Sequence, residues 1–223
     1  MPRVARVIYS GVPHHVTQRG NRRGQVFFCD HDRAVYLKLL RDYADKHQIE
    51  ILAYCLMTNH VHLVVLPQTA DGLHRALKPL HMRHAQRINR IHGWQGHLWQ
   101  GRYFSSPLDD DYLWAAIRYV EVNPVRAQIA ARAEDYPWSS AAAHCGLATG
   151  QVLTANLAWQ RRCRAIGDWS RWLAAGEEPR TVETLRRHAN KGLPCGSAAF
   201  ISLLEETAGR PLRERPRGRP IKG

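Results

Sequence analysis

The segment Thr58-Asn59-His60-Val61-His62-Leu63-Val64-Val65 constrains the fold more than any other part of the sequence. Its β-branched and apolar residues are typical of a buried strand. Residues two apart in a strand project from the same face. His60 and His62 are therefore expected to point one way, while the apolar residues that alternate with them point the other. Two neighbouring imidazoles on a rigid strand are suited to bind a divalent metal.

The first half of the chain predicts strands and helices in a regular order. Alternation predicts strands over residues 12–19, 49–55, 60–66 and 98–105, and apolar residues at helical spacing predict helices over 30–47 and 70–92. The short link between the second and third strands favours an antiparallel hairpin. The order β-α-β-β-α-β is that of an α+β, ferredoxin-like fold. We expect an antiparallel sheet with helices on one face and the other face free to meet a ligand.

A further helix is predicted from Asp109 to Val122, because three aspartates open it and Asn123-Pro124 ends it. A short helix to about residue 132 can follow, with Asn123 as its cap. We predict three regions: a main domain over 1–140, a helical extension over 141–208, and a basic, disordered tail over 209–223.

The formal net charge of +13, with a pI of about 10.1, indicates a polyanionic partner, nucleic acid first. A merely basic protein is the alternative. The five cysteines are scattered and form no CxxC pair, which favours a reducing compartment. We find neither a signal peptide nor an apolar run long enough to span a membrane, and therefore expect a soluble, cytoplasmic protein with no membrane partner.

The helix over 109–122 offers a partner for the histidines. Tyr119 lies four residues before Asn123 and hence on the same side. A tyrosine hydroxyl, with a pKa of about 10, becomes a useful nucleophile when a metal polarises the electrophile. Tyr119 is equally interpretable as a core residue, and Asn123 as a helix cap. A second pair, His81 and His84, has helical ligand spacing, but no third ligand is near in sequence, so we interpret it as a surface pair.

Five blocks in fixed order carry a family resemblance: HHVTQRGNRR, AYCLMTNHVHLVV, LWQGRYFSSPLDDDYL, RYVEVNPVRA and YPWSSAAAH. Together they resemble the single-tyrosine HUH transposases of the IS200/IS605-like superfamily, and within it the REP-associated tyrosine transposases. The resemblance covers about residues 3–145. The tail GRPLRERPRGRPIKG is similar to the basic C-terminal extension of the REP-associated group.

The resemblance implies a role for each matched residue. His60 and His62 would bind Mg²⁺ or Mn²⁺, Tyr119 would be the nucleophile, and Asn123 stands where the family carries a glutamine as third metal ligand. The family acts on single-stranded DNA with hairpins. Tyrosine attack leaves a 5′-phosphotyrosine and a free 3′-hydroxyl, and rejoining needs no ATP. Members act as homodimers or, with an extra C-terminal segment, as monomers.

Basic residues are expected to hold DNA phosphates around such a site. We predict this role for Arg19, Arg22, Arg23, Arg102, Arg118 and Arg126, and for Arg217, Arg219 and Lys222 in the tail. Trp94, Trp99, Tyr103 and Phe104 are candidates for stacking on bases. Histidine-dependent phosphoesterases fit poorly, because the sequence lacks a third alternating histidine and a second HxT motif. The remaining alternative is a non-catalytic module that binds structured nucleic acid.

Overall fold

The computed structural model of the protein describes residues 8–213. Four strands form one sheet: β1 (His14–Arg19), β2 (Ile49–Met57), β3 (His60–Pro67) and β4 (Phe104–Pro107). Their spatial order is β2-β3-β1-β4, and each neighbouring pair is antiparallel. This is the order of a ferredoxin-like sheet, so the predicted fold class is confirmed.

Nine α-helices are found among residues 8–213. Two connect the strands: α1 (Asp30–Lys46) lies between β1 and β2, and α2 (Gly72–His92) lies between β3 and β4. The others follow the sheet: α3 (Asp110–Glu121), α4 (Asn123–Arg126), α5 (Ala141–His144), α6 (Leu157–Arg164), α7 (Trp169–Ala174), α8 (Pro179–Lys191) and α9 (Ala198–Ala208). None of these helices is long and apolar enough to cross a membrane.

The two faces of the sheet carry separate apolar cores. On one face, Val61, Leu63 and Val65 pack with α1 and α2, as the alternation in β3 predicts. On the other face, Ala53 and Val64 pack with α3 and with the helices that follow it. We expected this second face to be free for a ligand, and that expectation is wrong for most of its area. Apolar residues of α3 at helical spacing bury themselves there, because an amphipathic helix needs an apolar surface to cover.

Both outer strands of the sheet bond to the chain that follows the sheet. Along β2, the Leu56 amide donates to the Trp138 carbonyl at 2.8 Å, and the Ser140 amide donates to the Tyr54 carbonyl at 3.0 Å. Along β4, the Cys195 amide donates to the Pro107 carbonyl at 2.8 Å. Unpaired strand edges readily add another strand, and these contacts reduce the length of edge that is available.

Two predicted element boundaries differ from the structure. The last strand spans Phe104–Pro107 instead of residues 98–105. Leu98 and Trp99 are buried apolar residues, yet Trp99 forms only an isolated bridge with Gly20. The helix expected to reach residue 132 ends at Arg126, and Gln128 soon afterwards adopts a left-handed φ of 58°. Leu98 and Trp99 are thus apolar because they are buried, not because they pair in a strand. After Arg126 the chain turns sooner than its composition suggested.

The interpretation of His81 and His84 as surface residues is wrong, because both are buried on the inner side of α2. A hydrogen bond of 3.0 Å joins His81 Nε2 to the Tyr36 hydroxyl. His84 Nε2 lies 2.8 Å from the Val26 carbonyl, which can only accept, so that nitrogen carries the proton. Polar partners from α1 and the preceding loop make this burial possible.

A buried carboxylate, Glu121 at the end of α3, ties that helix to the rest of the fold. Glu121 is fully buried and accepts hydrogen bonds from the Ser140 hydroxyl, from His144 Nδ1 at 2.6 Å and from Trp169 Nε1 at 2.8 Å. A charged acceptor with three donors holds its helix firmly. The network therefore fixes the position of α3, two residues beyond Tyr119.

The C-terminal tail is described only in its first part. Leu212 is buried beside Tyr9 and Leu204 in a small third core. The remaining tail, with the predicted DNA-contacting residues Arg217, Arg219 and Lys222, lies outside the described residues.

Candidate active site

The register between β1 and β3 assembles the centre of the site. Thr17 is the partner of His62, and Arg19 is the partner of His60. Directly opposite residues in an antiparallel pair share a face, so both histidines point toward α3 together with the side chains of His15 and Arg19. The rings of His60 and His62 lie 4.9 Å apart, centre to centre. The predicted pair is thus on one face.

The tautomer of His60 is set by its neighbour Asn59. Asn59 Nδ2 donates to the Arg23 carbonyl at 3.0 Å, which turns its Oδ1 toward His60. His60 Nδ1 lies 2.6 Å from that oxygen and therefore donates to it. The Nε2 atom of His60 then carries a lone pair. A histidine oriented through its other nitrogen is the usual arrangement of a metal ligand.

His62 is held from behind by His15. His15 Nε2 and His62 Nδ1 are 3.0 Å apart, and the two rings stack at 5.2 Å. His62 therefore meets His15 through Nδ1, and Nε2 is the nitrogen that could bind a metal. His15 Nδ1 is buried and has no hydrogen-bond partner. His15 therefore supports the ring of His62 from inside the protein.

Burial keeps these imidazoles neutral. Desolvation lowers the pKa of His60 to about 4, with Arg19 adding to the effect, and it lowers the pKa of His15 to about 4. The pKa of His62 is also well below its usual value, first through desolvation and then through the charges of its neighbours. A metal binds the neutral form of imidazole, so these side chains are ready to bind near neutral pH without losing a proton.

Tyr119 lies directly over the histidines. Its ring centre is 5.7 Å from that of His62 and 5.8 Å from that of His15, edge to face in both cases. The guanidinium of Arg126 stacks on the ring at 4.3 Å and donates to the Tyr119 carbonyl at 2.8 Å. Tyr119 is 7% exposed. The structure thus combines the two interpretations of Tyr119, because the residue belongs to the second core and also lies at the site.

Asn123 faces His60 and does not cap a helix. Its Nδ2 lies 3.5 Å from His60 Nε2, at the limit of a hydrogen bond, and α4 has no side-chain cap. The alternative interpretation of Asn123 as a cap is therefore wrong. The oxygen and nitrogen of an amide exchange places by a flip, so Oδ1 can equally face His60.

The side chains of the site fit a divalent metal only when the amide of Asn123 is counted together with His60 and His62. Among residues 8–213, no three His, Cys, Asp or Glu side chains are grouped so that they could hold a metal. Two imidazole nitrogens and one amide oxygen form a mixed set that suits a hard or intermediate divalent ion, with open positions for an oxygen ligand. His60, His62 and Asn123 are the residues that would hold it.

The predicted DNA-binding arginines lie at different distances from this centre. Arg19, Arg22, Arg23 and Arg102 are exposed. Arg126 is at the site, as described above. Arg118 is directed away from the histidines: it donates to the Gly176 carbonyl at 2.8 Å and stacks on Trp172 at 4.2 Å. Its predicted DNA contact stays a prediction, as do those of the others.

Sequence reasoning missed three contributors to the site. His15 lies within one of the matched sequence blocks, but its contact with His62 depends on a strand register that the sequence does not reveal. The sequence does carry a signal for Asn59, which is next to His60: an amide beside a histidine can fix the tautomer of that histidine. Glu177, which pairs with Arg126 at 3.1 Å, comes from a region with no detectable pattern.

The part of the chain that forms most of this site matches a known protein family. Residues 8–123, more than half of the chain, match the family described as "Transposase IS200 like". The chain belongs to the IS200-like transposase family. The matched region contains the sheet, both histidines of β3, Tyr119 and Asn123. No curated protein matched the chain.

One solved structure has a similar fold. A REP-associated tyrosine transposase bound to a REP hairpin aligns over 70% of this chain and 99% of its own, with 17% identity and a TM-score of 0.52. At this identity the likeness concerns the fold. A second structure, from Deinococcus radiodurans R1 and only provisionally assigned as a transposase, aligns over 58% of this chain and 92% of its own, with 23% identity and a TM-score of 0.36.

Proposed function

We propose that this chain is a metal-dependent endonuclease and strand transferase that cuts single-stranded DNA beside a hairpin through a covalent tyrosine–DNA intermediate. One observation carries the proposal: in a member of the IS200-like transposase family, Tyr119 packs edge to face against His62, on the sheet face that also holds His60. These residues come from distant parts of the sequence, and the fold brings a tyrosine next to two histidines, which supports their roles as nucleophile and metal ligands.

The chemistry is a transesterification. A Mg²⁺ or Mn²⁺ ion held by His60, His62 and Asn123 would polarise the scissile phosphate. The Tyr119 oxygen forms a bond to phosphorus, and the bond from phosphorus to the 3′ oxygen breaks. The phenol loses a proton and the leaving oxygen gains one, so the step balances. The phosphotyrosine bond keeps the energy of the broken phosphodiester bond. A 3′-hydroxyl can therefore attack it and rejoin the strand without ATP.

The substrate class follows from charge and from the structural neighbour. A formal net charge of +13 favours a polyanion. The neighbour of the same fold is bound to a REP hairpin, and we extend that substrate class to this chain. Trp94 and Phe104 are 48% and 42% exposed, unusual for aromatic side chains, and offer faces on which unpaired bases could stack.

The test is formation of a covalent adduct on a labelled, single-stranded hairpin oligonucleotide with Mn²⁺, resolved on a denaturing gel. Wild type should cleave and form the adduct, whereas Tyr119→Phe should bind the DNA and form none. Tyr112→Phe is the matched control on the same helix, since Tyr112 bonds to Thr184 and lies about two helical turns before Tyr119. It should retain the adduct. An adduct in Tyr119→Phe, or binding without cleavage by wild type, would contradict the proposal; the second result identifies a non-catalytic module.

A further inference from the structure

The loop between α7 and α8 places a carboxylate among three arginines beside Tyr119. Glu177 pairs with Arg126 at 3.1 Å, and its side chain is 15% exposed. Arg186 on α8 and Arg118 on α3 also act on this carboxylate electrostatically. The guanidiniums of Arg126 and Arg186 lie 4.3 and 5.9 Å from the Tyr119 ring centre. One negative charge therefore faces three positive charges, next to the nucleophile.

Two guanidinium nitrogens near Glu177 have no hydrogen-bond partner. The Nε atoms of Arg118 and Arg126 are both buried, and neither has a hydrogen-bond partner. Buried donors without partners are uncommon and call for a physical reason. Burial raises the pKa of Glu177 even though the three arginines oppose that shift, so the carboxylate is poorly stabilised where it lies. A purely structural ion pair would be expected to satisfy its groups more fully.

A phosphate diester suits this position better than a carboxylate. Both carry one negative charge and accept paired hydrogen bonds from a guanidinium. The phosphate group belongs to a strand that continues on both sides, so it can reach several arginines at once. An anion that replaced the Glu177 carboxylate would contact Arg126, whose guanidinium stacks on the Tyr119 ring, so it would lie near that tyrosine.

We propose that Arg126 and Arg186, with Arg118 at the rim, form a binding site for one backbone phosphate of the DNA substrate, and that Glu177 occupies this site in the free protein. This inference rests on the proposed function for its substrate. DNA binding exchanges the carboxylate for a phosphate. Glu177 thus shields the positive charge around Tyr119 until a nucleic-acid strand displaces it.

The test compares two substitutions that change the net charge equally. Glu177→Gln removes the competing carboxylate, and Glu183→Gln removes an exposed carboxylate on α8. Both are made in the Tyr119→Phe protein, and binding to the hairpin oligonucleotide is measured by fluorescence anisotropy at several salt concentrations without a divalent ion. At low salt, Glu177→Gln should bind the hairpin at least about fivefold more tightly than Glu183→Gln. Its plot of log affinity against log salt should keep the slope of the Tyr119→Phe protein, because the complex makes the same phosphate contacts in both proteins.

Equal affinities of Glu177→Gln and Glu183→Gln for the hairpin would overturn the inference, as would weaker binding by Glu177→Gln. A second variant guards against misfolding. Arg186 is exposed, so Arg186→Gln should fold normally, and it should make the salt dependence shallower by about 0.7–0.9, the value for one lost phosphate contact. An unchanged slope in that variant also overturns the inference. Absence of hairpin binding in every variant would overturn the proposed function as well, whereas equal affinities with intact binding overturn only this phosphate site.

Discussion

The histidine pair on β3 and the histidine pair on α2 both have metal-ligand spacing, yet their surroundings differ. His84 is enclosed by Phe27 and Trp99, and its proton is directed to a backbone carbonyl. His60 instead turns its lone pair toward the amide of Asn123, at the end of the sheet. Spacing therefore identifies candidate ligands, but hydrogen-bond partners decide which nitrogen remains available to a metal.

The largest expected effect separates the two pairs by activity. His60→Ala or His62→Ala should reduce single-turnover cleavage roughly 10²- to 10⁴-fold, because each removes a proposed ligand of the metal that would polarise the phosphate. His84→Ala should change the rate per folded molecule by less than about threefold, since it lies in the other core. Active-site titration against the hairpin substrate measures both. Equal losses of cleavage rate from substitutions in the two pairs would contradict a catalytic role for the β3 pair alone.

The next effect separates them by stability. His84→Ala removes a buried ring from the core and leaves the Val26 carbonyl without its donor. We expect the free energy of unfolding to fall by about 2–4 kcal/mol. His74→Ala, an exposed position on the same helix, is the control and should be neutral within about 0.5 kcal/mol. Denaturant unfolding followed by circular dichroism measures the difference, and a neutral His84→Ala would show that this histidine is not structural.

A third effect is one that the two pairs share. Burial lowers the pKa of His84 and of His60 to about 4 each, whereas an unfolded histidine has a pKa of about 6.5. Between these values the unfolded chain binds protons that the folded chain does not. Stability is therefore fully present above pH 6.5 and is lost as the pH falls toward 4, by at most about 1.4 kcal/mol per pH unit for each such histidine.

Unfolding measurements at pH 7, 6 and 5 test this slope. Added Mn²⁺ should offset the loss at the β3 pair, because metal binding stabilises the neutral form, and it should have no such effect in His62→Ala. A stability that rises on acidification would contradict the assigned burial of these groups. A Mn²⁺ effect that persists in His62→Ala would place the metal elsewhere.

Much of the fold could be predicted because its signals are local. Alternation in β3 fixed the direction of His60 and His62, and helical spacing identified α1 and α2 to within two residues. The short strand β4 could not be placed, because Leu98 and Trp99 are apolar for packing and not for pairing. The contact between His15 and His62 depends on strand register, which a single sequence does not contain.

The candidate site shows the same limit. Tyr119 and Asn123 share a side of the chain by helical geometry alone, and the family resemblance supplied their roles. Glu177 follows no motif and reaches Arg126 only through the packing of α8 on α3. Long-range packing of this kind is not visible in local patterns.

Mass spectrometry of the trapped protein–DNA adduct tests the central claim most directly. Wild type is incubated with Mn²⁺ and the hairpin oligonucleotide, digested with nuclease and protease, and the modified peptide is sequenced. We predict a nucleotide attached to Tyr119 through a 5′-phosphate. Attachment to Tyr112, or to any other residue, would contradict the account.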